Sequence, residues 1–287
     1  LCNLNIDSIV PLSLTELTLS DNNLRAARDN QPSYEAVNVA NRTGGSAKNI
    51  QYFWCLSPYL SWHILDKYDV DDVLYVDSDV YFFNNLSKIY NEVGNKSVGL
   101  VRHRINYNPA VGEYNVGIVY FRNDLTGYQC SEWWRNCLLY TDHEYYKTHG
   151  ICGDQKYLDD WTDRFESVHV LQHLGGGVAP WNVQQYDLFS SRFELIFYHF
   201  HNFKFITKDK VELGLYFLNK KNISLLYKPY VIHLLQISQM IQSLDSSGCY
   251  NGISGKKPFH WKDPMRVLKR KMKGIYNVYD TDFITKE

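Results

Sequence analysis

Residues Val73 to Phe83 read VLYVDSDVYFF, an apolar run interrupted by two aspartates and resumed in aromatics. The four residues Val73 to Val76 form the short continuous apolar block expected of a strand covered on both faces. Side chains at i and i+2 of a strand point the same way, so Asp77 and Asp79 are expected to face one spot where that strand ends. In open α/β sheets this end is where ligands bind. Two carboxylates so close raise each other's pKa unless a cation neutralises them. A hard divalent ion such as Mg²⁺ or Mn²⁺ does so and keeps open positions for phosphate oxygens. Asp79 is then the direct ligand, and Asp77 reaches a ribose hydroxyl or a metal-bound water. The plainer alternative is a polar turn whose aspartates cap the helix beginning NLSK.

Working outward, NIQYFWCLSPYLSWHILDKY before this stretch reads as a mostly buried helix disturbed at Pro58, and NLSKIYNEV after it as a second helix. SVGLV (97–101) and NVGIVYF (115–121) read as strands, and Asp124 is placed to cap a long helix through Trp133, Trp134 and Leu138. GDQKYLDDW opens a further helix; SVHVL and FELIFYHF are later strands. Strands alternating with helices predict an α/β fold with a mixed, mainly parallel sheet flanked by helices. Residues 1–207 are expected to form the main domain and 208–287 a basic helical extension. The chain opens with Leu, and LNIDSIVPLSL (4–14) reads as a strand already under way, so the first strand and helix of the fold are expected to lie upstream.

With 287 residues, 45% of them hydrophobic, the chain can bury one large core. A net charge of −1 gives no polyanion-binding balance, and no nucleic-acid partner is expected. The six cysteines form no C-x-x-C pair, which argues against a zinc ribbon or dithiol site and for reduced thiols. Sequons at Asn41, Asn85, Asn95 and Asn222 carry little weight in an Asn-rich chain. No apolar run reaches the length of a membrane span and no leader is visible, so a cytoplasmic location is expected. From Lys256 to Lys273 eight cations face one acid, Asp263, with Trp261, Met265, Leu268 and Met272 among them. Such a segment is either a solvated helix or a peripheral contact with the inner, anionic face of a membrane.

D-x-D after a strand occurs in two known families. Gly153, Asp154 and Asp159 match the spacing of the later motif of haloacid-dehalogenase-like phosphatases, in which Asp77 is nucleophile and Asp79 acid–base. That family's threonine position holds Tyr81, strand-like sequence precedes the aspartates, and YYKTHGIC before the Gly-Asp is no apolar strand. More of the chain fits elsewhere: DDVLYVDSDVYFF, YNVGIVYFRND, GDQKYLDDW, GGGVAPWNV and FYHFHNFKF follow in order between about Lys48 and Lys204. Together they resemble the nucleotide-sugar-dependent glycosyltransferases of the GT-A fold, most closely family 8 and its bacterial relatives.

That resemblance implies a role for each motif. Asp77 and Asp79 hold Mn²⁺ or Mg²⁺ on the donor diphosphate, with His199 or His201 completing the coordination. Asn115 hydrogen-bonds the donor sugar, and Gly117 lets the backbone approach it. Asp154 binds sugar hydroxyls or serves as base, and Gln155 flanks the reacting carbon. Trp181, after three glycines, offers a stacking face. Lys204 stands where the family places a phosphate-binding lysine, although the family's K-P-W is missing. Relatives carry a diphosphate-binding arginine before the D-x-D strand; YFWCLSPYL has none, and Lys48 is the substitute. Arg102, His103 and Arg104 contact diphosphate or acceptor, or form an exposed basic turn. The implied activity is metal-dependent transfer of a sugar from a UDP-sugar donor to a glycan or lipid-linked acceptor in cell-surface polysaccharide synthesis. Retention of configuration is expected, needing no dedicated base; inversion would need one, and Asp154 is the candidate. The alternatives are the phosphatase and a non-catalytic, transferase-like domain that binds glycans.

Overall fold

The computed structural model describes residues 47–106, 111–140, 153–188, 190–244, 253 and 260–286. The expected N-terminal strand, the loop of about residues 30–47, and Cys2, Cys152 and Cys249 lie outside them. The chain divides into two compact units, residues up to Asp77 with 85–173, and residues 78–84 with those from Leu174 onward.

The first unit begins with helix α1 (Ala47–Lys67) and strand β1 (Asp72–Val76). Helix α2 (Ser87–Val93), strands β3 (Val98–Arg102) and β4 (Tyr114–Arg122) and helix α3 (Leu125–Tyr140) follow. A 3₁₀ turn (Gln155–Asp160), the short helix α4 (Trp161–Arg164) and strand β5 (Val168–Val170) complete it. Pro58 sits inside α1 without ending it. Asp124 caps α3 as expected, its Oδ1 accepting from Gly127 N at 2.9 Å.

The four strands lie in the order β1-β4-β3-β5. β4 and β3 lie inside the sheet and are largely buried, and Val119 and Phe121 of β4 share a core with Cys130, Trp134 and Leu138 of α3, Cys55 and Leu65 of α1, and Trp161. Each of these large side chains contributes roughly 1.5–3 kcal/mol through burial. β1 pairs only with β4 among the described strands, and all five of its residues are half-buried. The expectation of a strand buried on both faces is corrected to this extent: none of its five residues is fully buried.

The second unit holds β2 (Val80–Phe82), β6 (Gly176–Val178) and β7 (Phe197–His199) in the order β2-β7-β6. A second small sheet joins β8 (Lys204–Thr207), β9 (Lys210–Glu212) and β10 (Val278–Asp280) in the order β10-β9-β8. Helices α5 (Lys228–Leu244), α6 (Asp263–Met272) and α7 (Thr281–Lys286) complete it. Phe200 stacks on Tyr230 with ring centroids 3.8 Å apart, and Tyr198, Val211, Leu226 and Val231 share their core. Residues on both sides of position 207 thus build one core. The contacts do not divide the chain at the expected boundary, and its C-terminal part contributes two strands as well as helices.

The fold is mixed α/β, as expected. The mainly parallel sheet is not found: of the seven strand pairings among the described residues, only β3–β5 and β6–β7 are parallel. Apolar runs such as VLYV and VGIVYF report burial, not strand direction, and β4 is covered by helices whichever way its neighbours run.

The glycines of GGGVAP, Gly175 to Gly177, lie in the interior of the second unit. They are buried, and Gly176–Val178 is a strand. A Cβ on Gly175 would lie 1.8 Å from the carbonyl oxygen of Glu194, so only glycine permits this approach of backbone to backbone. Gly177 holds φ at +115°, a conformation that side chains disfavour.

Candidate active site

β1 ends at Val76, and Asp77, Ser78 and Asp79 form the turn that precedes β2. The two aspartates therefore do not share one strand face by alternation, and each is positioned by its own unit.

In the second unit, β2 and β7 pair antiparallel with Val80 opposite His199. Phe200 N donates to Asp79 O at 2.7 Å, extending the ladder one step and fixing Asp79. His199 Nε2 then lies 3.0 Å from Asp79 Oδ1. Burial pushes the Asp79 carboxyl up, but the hydrogen bond from His199 and the nearby His199 and His201 outweigh it and hold it below its ordinary value. The His199 ring packs edge-on against Trp181 at 5.4 Å, and the His201 ring lies 5.5 Å from the same indole. His201 Nδ1 is 2.7 Å from the Tyr216 hydroxyl. Trp181 is set by its neighbour: Asn182 accepts from Ala179 N and donates to Gly177 O, both at 2.9 Å, closing the turn after β6. The result is a wall of Trp181, His199, His201 and Tyr216 with Asp79 at its edge.

In the first unit, Asp77 N donates to Gly117 O at 2.9 Å, which pins Asp77 to the end of the β1–β4 ladder. The Tyr75 hydroxyl donates to Asp77 Oδ1 at 2.8 Å. Burial, followed by the charge of Asp77, pushes the Tyr75 phenol well above its ordinary range, so it stays a donor. Asp154 does not cap the following turn with its side chain. It is buried at 8% exposure, and its Oδ2 accepts from Ser57 Oγ at 2.5 Å. Burial raises Asp154 to about 7, with the charge of Asp77 adding to the rise. Asn115 Nδ2 donates to Gln155 Oε1 at 3.2 Å, which brings these two expected site residues together. Asn115 Oδ1 accepts from Gly117 N at 2.9 Å, and Gln155 Nε2 donates to Val111 O at 2.7 Å.

Other expected residues are engaged elsewhere. Lys204 Nζ lies 2.7 Å from Glu212 Oε2, and Glu212 also pairs with Arg270. Arg102 pairs with Glu113 at 2.7 Å. His103 is buried, and Arg104 donates to the carbonyls of Leu171 and His173, so 102–104 is not an exposed basic turn. Lys48 lies in α1, and its side chain is outside the described residues. Asp159, the residue that matched the phosphatase spacing, accepts from Glu113 N at 2.7 Å and pairs with Lys156. Ser57, Tyr75 and Tyr216 were not anticipated. Tyr75 shares the alternation of Asp77 and was legible; Ser57 lies 97 residues from Asp154 and was not.

No protein-family model matches the chain. The uncharacterized protein YfnD of Bacillus subtilis (strain 168) is 29% identical over 209 residues, covering 67% of this chain and 67% of that protein. The uncharacterized protein YfnF of the same strain is 25% identical over 226 residues, covering 72% of this chain and 73% of that protein. Among solved structures, the glycosyltransferase GlyE of Streptococcus pneumoniae TIGR4 matches 53% of this chain and 37% of its own, with 18% identity and a TM-score of 0.36. Apo mouse xyloside xylosyltransferase 1 matches 62% of this chain and 73% of its own, with 16% identity and a TM-score of 0.35. Overlaps this slight do not fix a shared fold, and the architecture rests on the sheets described above.

Proposed function

We propose that this chain is a metal-dependent GT-A-type glycosyltransferase that moves a sugar from a nucleoside diphosphate, most readily UDP, to a glycan or lipid-linked acceptor in cell-surface polysaccharide synthesis. The observation that carries the reading is the Asp79–His199 pair. A carboxylate and an imidazole that lie far apart in sequence are held 3.0 Å apart by strand pairing. Asp77, one residue removed from Asp79 along the chain, adds the second carboxylate.

These donors fit a divalent ion. The Trp181 contact orients the His199 ring, and two carboxylates with one imidazole suit Mn²⁺ better than Ca²⁺. Bound there, such an ion supplies Lewis-acid neutralisation of the charge on the departing nucleoside diphosphate. Trp181 and Tyr216 offer apolar faces for a sugar or base to stack upon. The paired amides of Asn115 and Gln155 supply a preset donor and acceptor for sugar hydroxyls.

The surroundings of Asp154 favour retention of configuration. A general base must reach the acceptor hydroxyl, whereas this carboxyl is buried and held by Ser57. It holds Ser57, and so α1, against the start of the 3₁₀ turn that carries Gln155. The phosphatase alternative loses one of its residues, because Asp159 anchors the backbone of Glu113.

The test is nucleotide release from a panel of UDP-, GDP- and dTDP-sugars with Mn²⁺ or with chelator. The proposal expects metal-dependent release that Asp79→Ala abolishes. Hydrolysis of simple phosphate esters with no nucleotide-sugar turnover would sink it.

A further inference from the structure

Helix α6 has no buried residue. It is held to the rest of its unit by the pairing of Arg270 with Glu212, and Asp263, Val267 and Arg270, which recur every three or four positions, are its half-buried residues. Met265, Leu268 and Met272 are 66%, 59% and 80% exposed, and Trp261, just ahead of the helix, is 69% exposed. At about 100° per residue these three helical side chains fall within roughly 60° of one another, opposite the seated face. Arg266 and Lys269 border this stripe on one side and Lys271 on the other, with Lys262 and Lys273 at its ends. The sole acid, Asp263, is paired with Arg266 at 2.9 Å. Lys262 Nζ lies 5.0 Å from the centre of the Trp261 ring.

Exposed apolar side chains gathered on one helix face mark an interaction surface, and the flanking charge names the surface that would cover them. We propose that Trp261 and α6 dock on an anionic lipid bilayer. The helix lies in the plane of the interface, with Met265, Leu268 and Met272 among the upper acyl chains and the lysines at acidic headgroups. Trp261 sits at headgroup level, where an indole is favoured. A helix of ten residues spans only about 15 Å and lies on a membrane without crossing it. No described helix is long and apolar enough to cross. A nucleic acid fits less well, since its phosphates would meet methionine and leucine at the centre of the patch. The inference is separate from the catalytic reading, because docking needs neither metal nor nucleotide.

The test is cosedimentation of the full chain with phosphatidylcholine vesicles, with and without phosphatidylglycerol. The expected result is binding only to the anionic vesicles, weakened by salt. Leu268→Asp with Met272→Asp should abolish it. Lys269→Gln with Lys273→Gln should lower affinity about fivefold per lysine, about 25-fold for the pair. All four positions are exposed, and unchanged denaturation curves would show that the variants fold. Equal binding to neutral vesicles, no binding to either, or variants that bind like the parent would each overturn the proposal. Binding to a homopolymer RNA in place of vesicles, or loss of the stripe's exposure in a concentration-dependent oligomer, would overturn it in favour of another partner.

Discussion

Asp154→Asn isolates one buried group whose ionisation works against the fold. Asp154 has a folded pKa of about 7 against an ordinary 3.8, chiefly because burial penalises the charged form. The folded state therefore binds the proton more tightly than the unfolded chain, and stability falls as pH rises between these two values. Below about pH 4 the carboxyl is neutral in both states and contributes nothing to the pH dependence. Above about pH 7 the full cost is present: three pH units at 1.36 kcal/mol each, on the order of 4 kcal/mol. Asparagine keeps the shape and an oxygen to accept from Ser57, and it cannot ionise. The variant and parent should unfold at similar urea concentrations at pH 4, and the variant should gain on the order of 4 kcal/mol over the parent by pH 8. The assay is chemical denaturation followed by tryptophan fluorescence across that range. A difference between the two proteins that does not change with pH would refute the reasoning, since it would mean that Asp154 ionises as freely in the fold as in water.

Gly175→Ala should destabilise by about 3 kcal/mol in the same assay, because a Cβ would meet the Glu194 carbonyl at 1.8 Å and β6 must shift. His199→Ala should weaken Mn²⁺ binding tenfold or more, while His201→Ala should change it by less than about threefold because its imidazole is held by Tyr216; equal losses, read by calorimetry, would reassign the ligand. Cys130 and Cys137 should resist alkylation in the native protein at pH 8, as burial pushes Cys130 up and Cys137 to about 12; peptide mapping of modified sites after brief treatment decides this.

The sequence carried most of the first unit's elements, because β3, β4 and α3 are marked by apolar runs and by the Asp124 cap. It carried the adjacency of Asp79 and His199 only through the order of motifs. Nothing in either local pattern shows that β2 and β7 pair. Three things were not legible. Strand direction was not, since burial looks alike in either sense. The buried state of GGGVAP was not, since glycine serves a close backbone approach as readily as a loop. The engagement of Lys204 was not, because Glu212 becomes its partner only when β8 folds back on β9. Tyr75 shows the converse: its two-residue spacing from Asp77 was a signal the sequence offered, although the residue was not anticipated.

The most direct test of the central claim is calorimetric titration of the full chain with UDP, with and without Mn²⁺, alongside Asp79→Ala. Binding should require the metal and disappear in the variant. UDP binding that is the same without metal, or that survives Asp79→Ala, would contradict it.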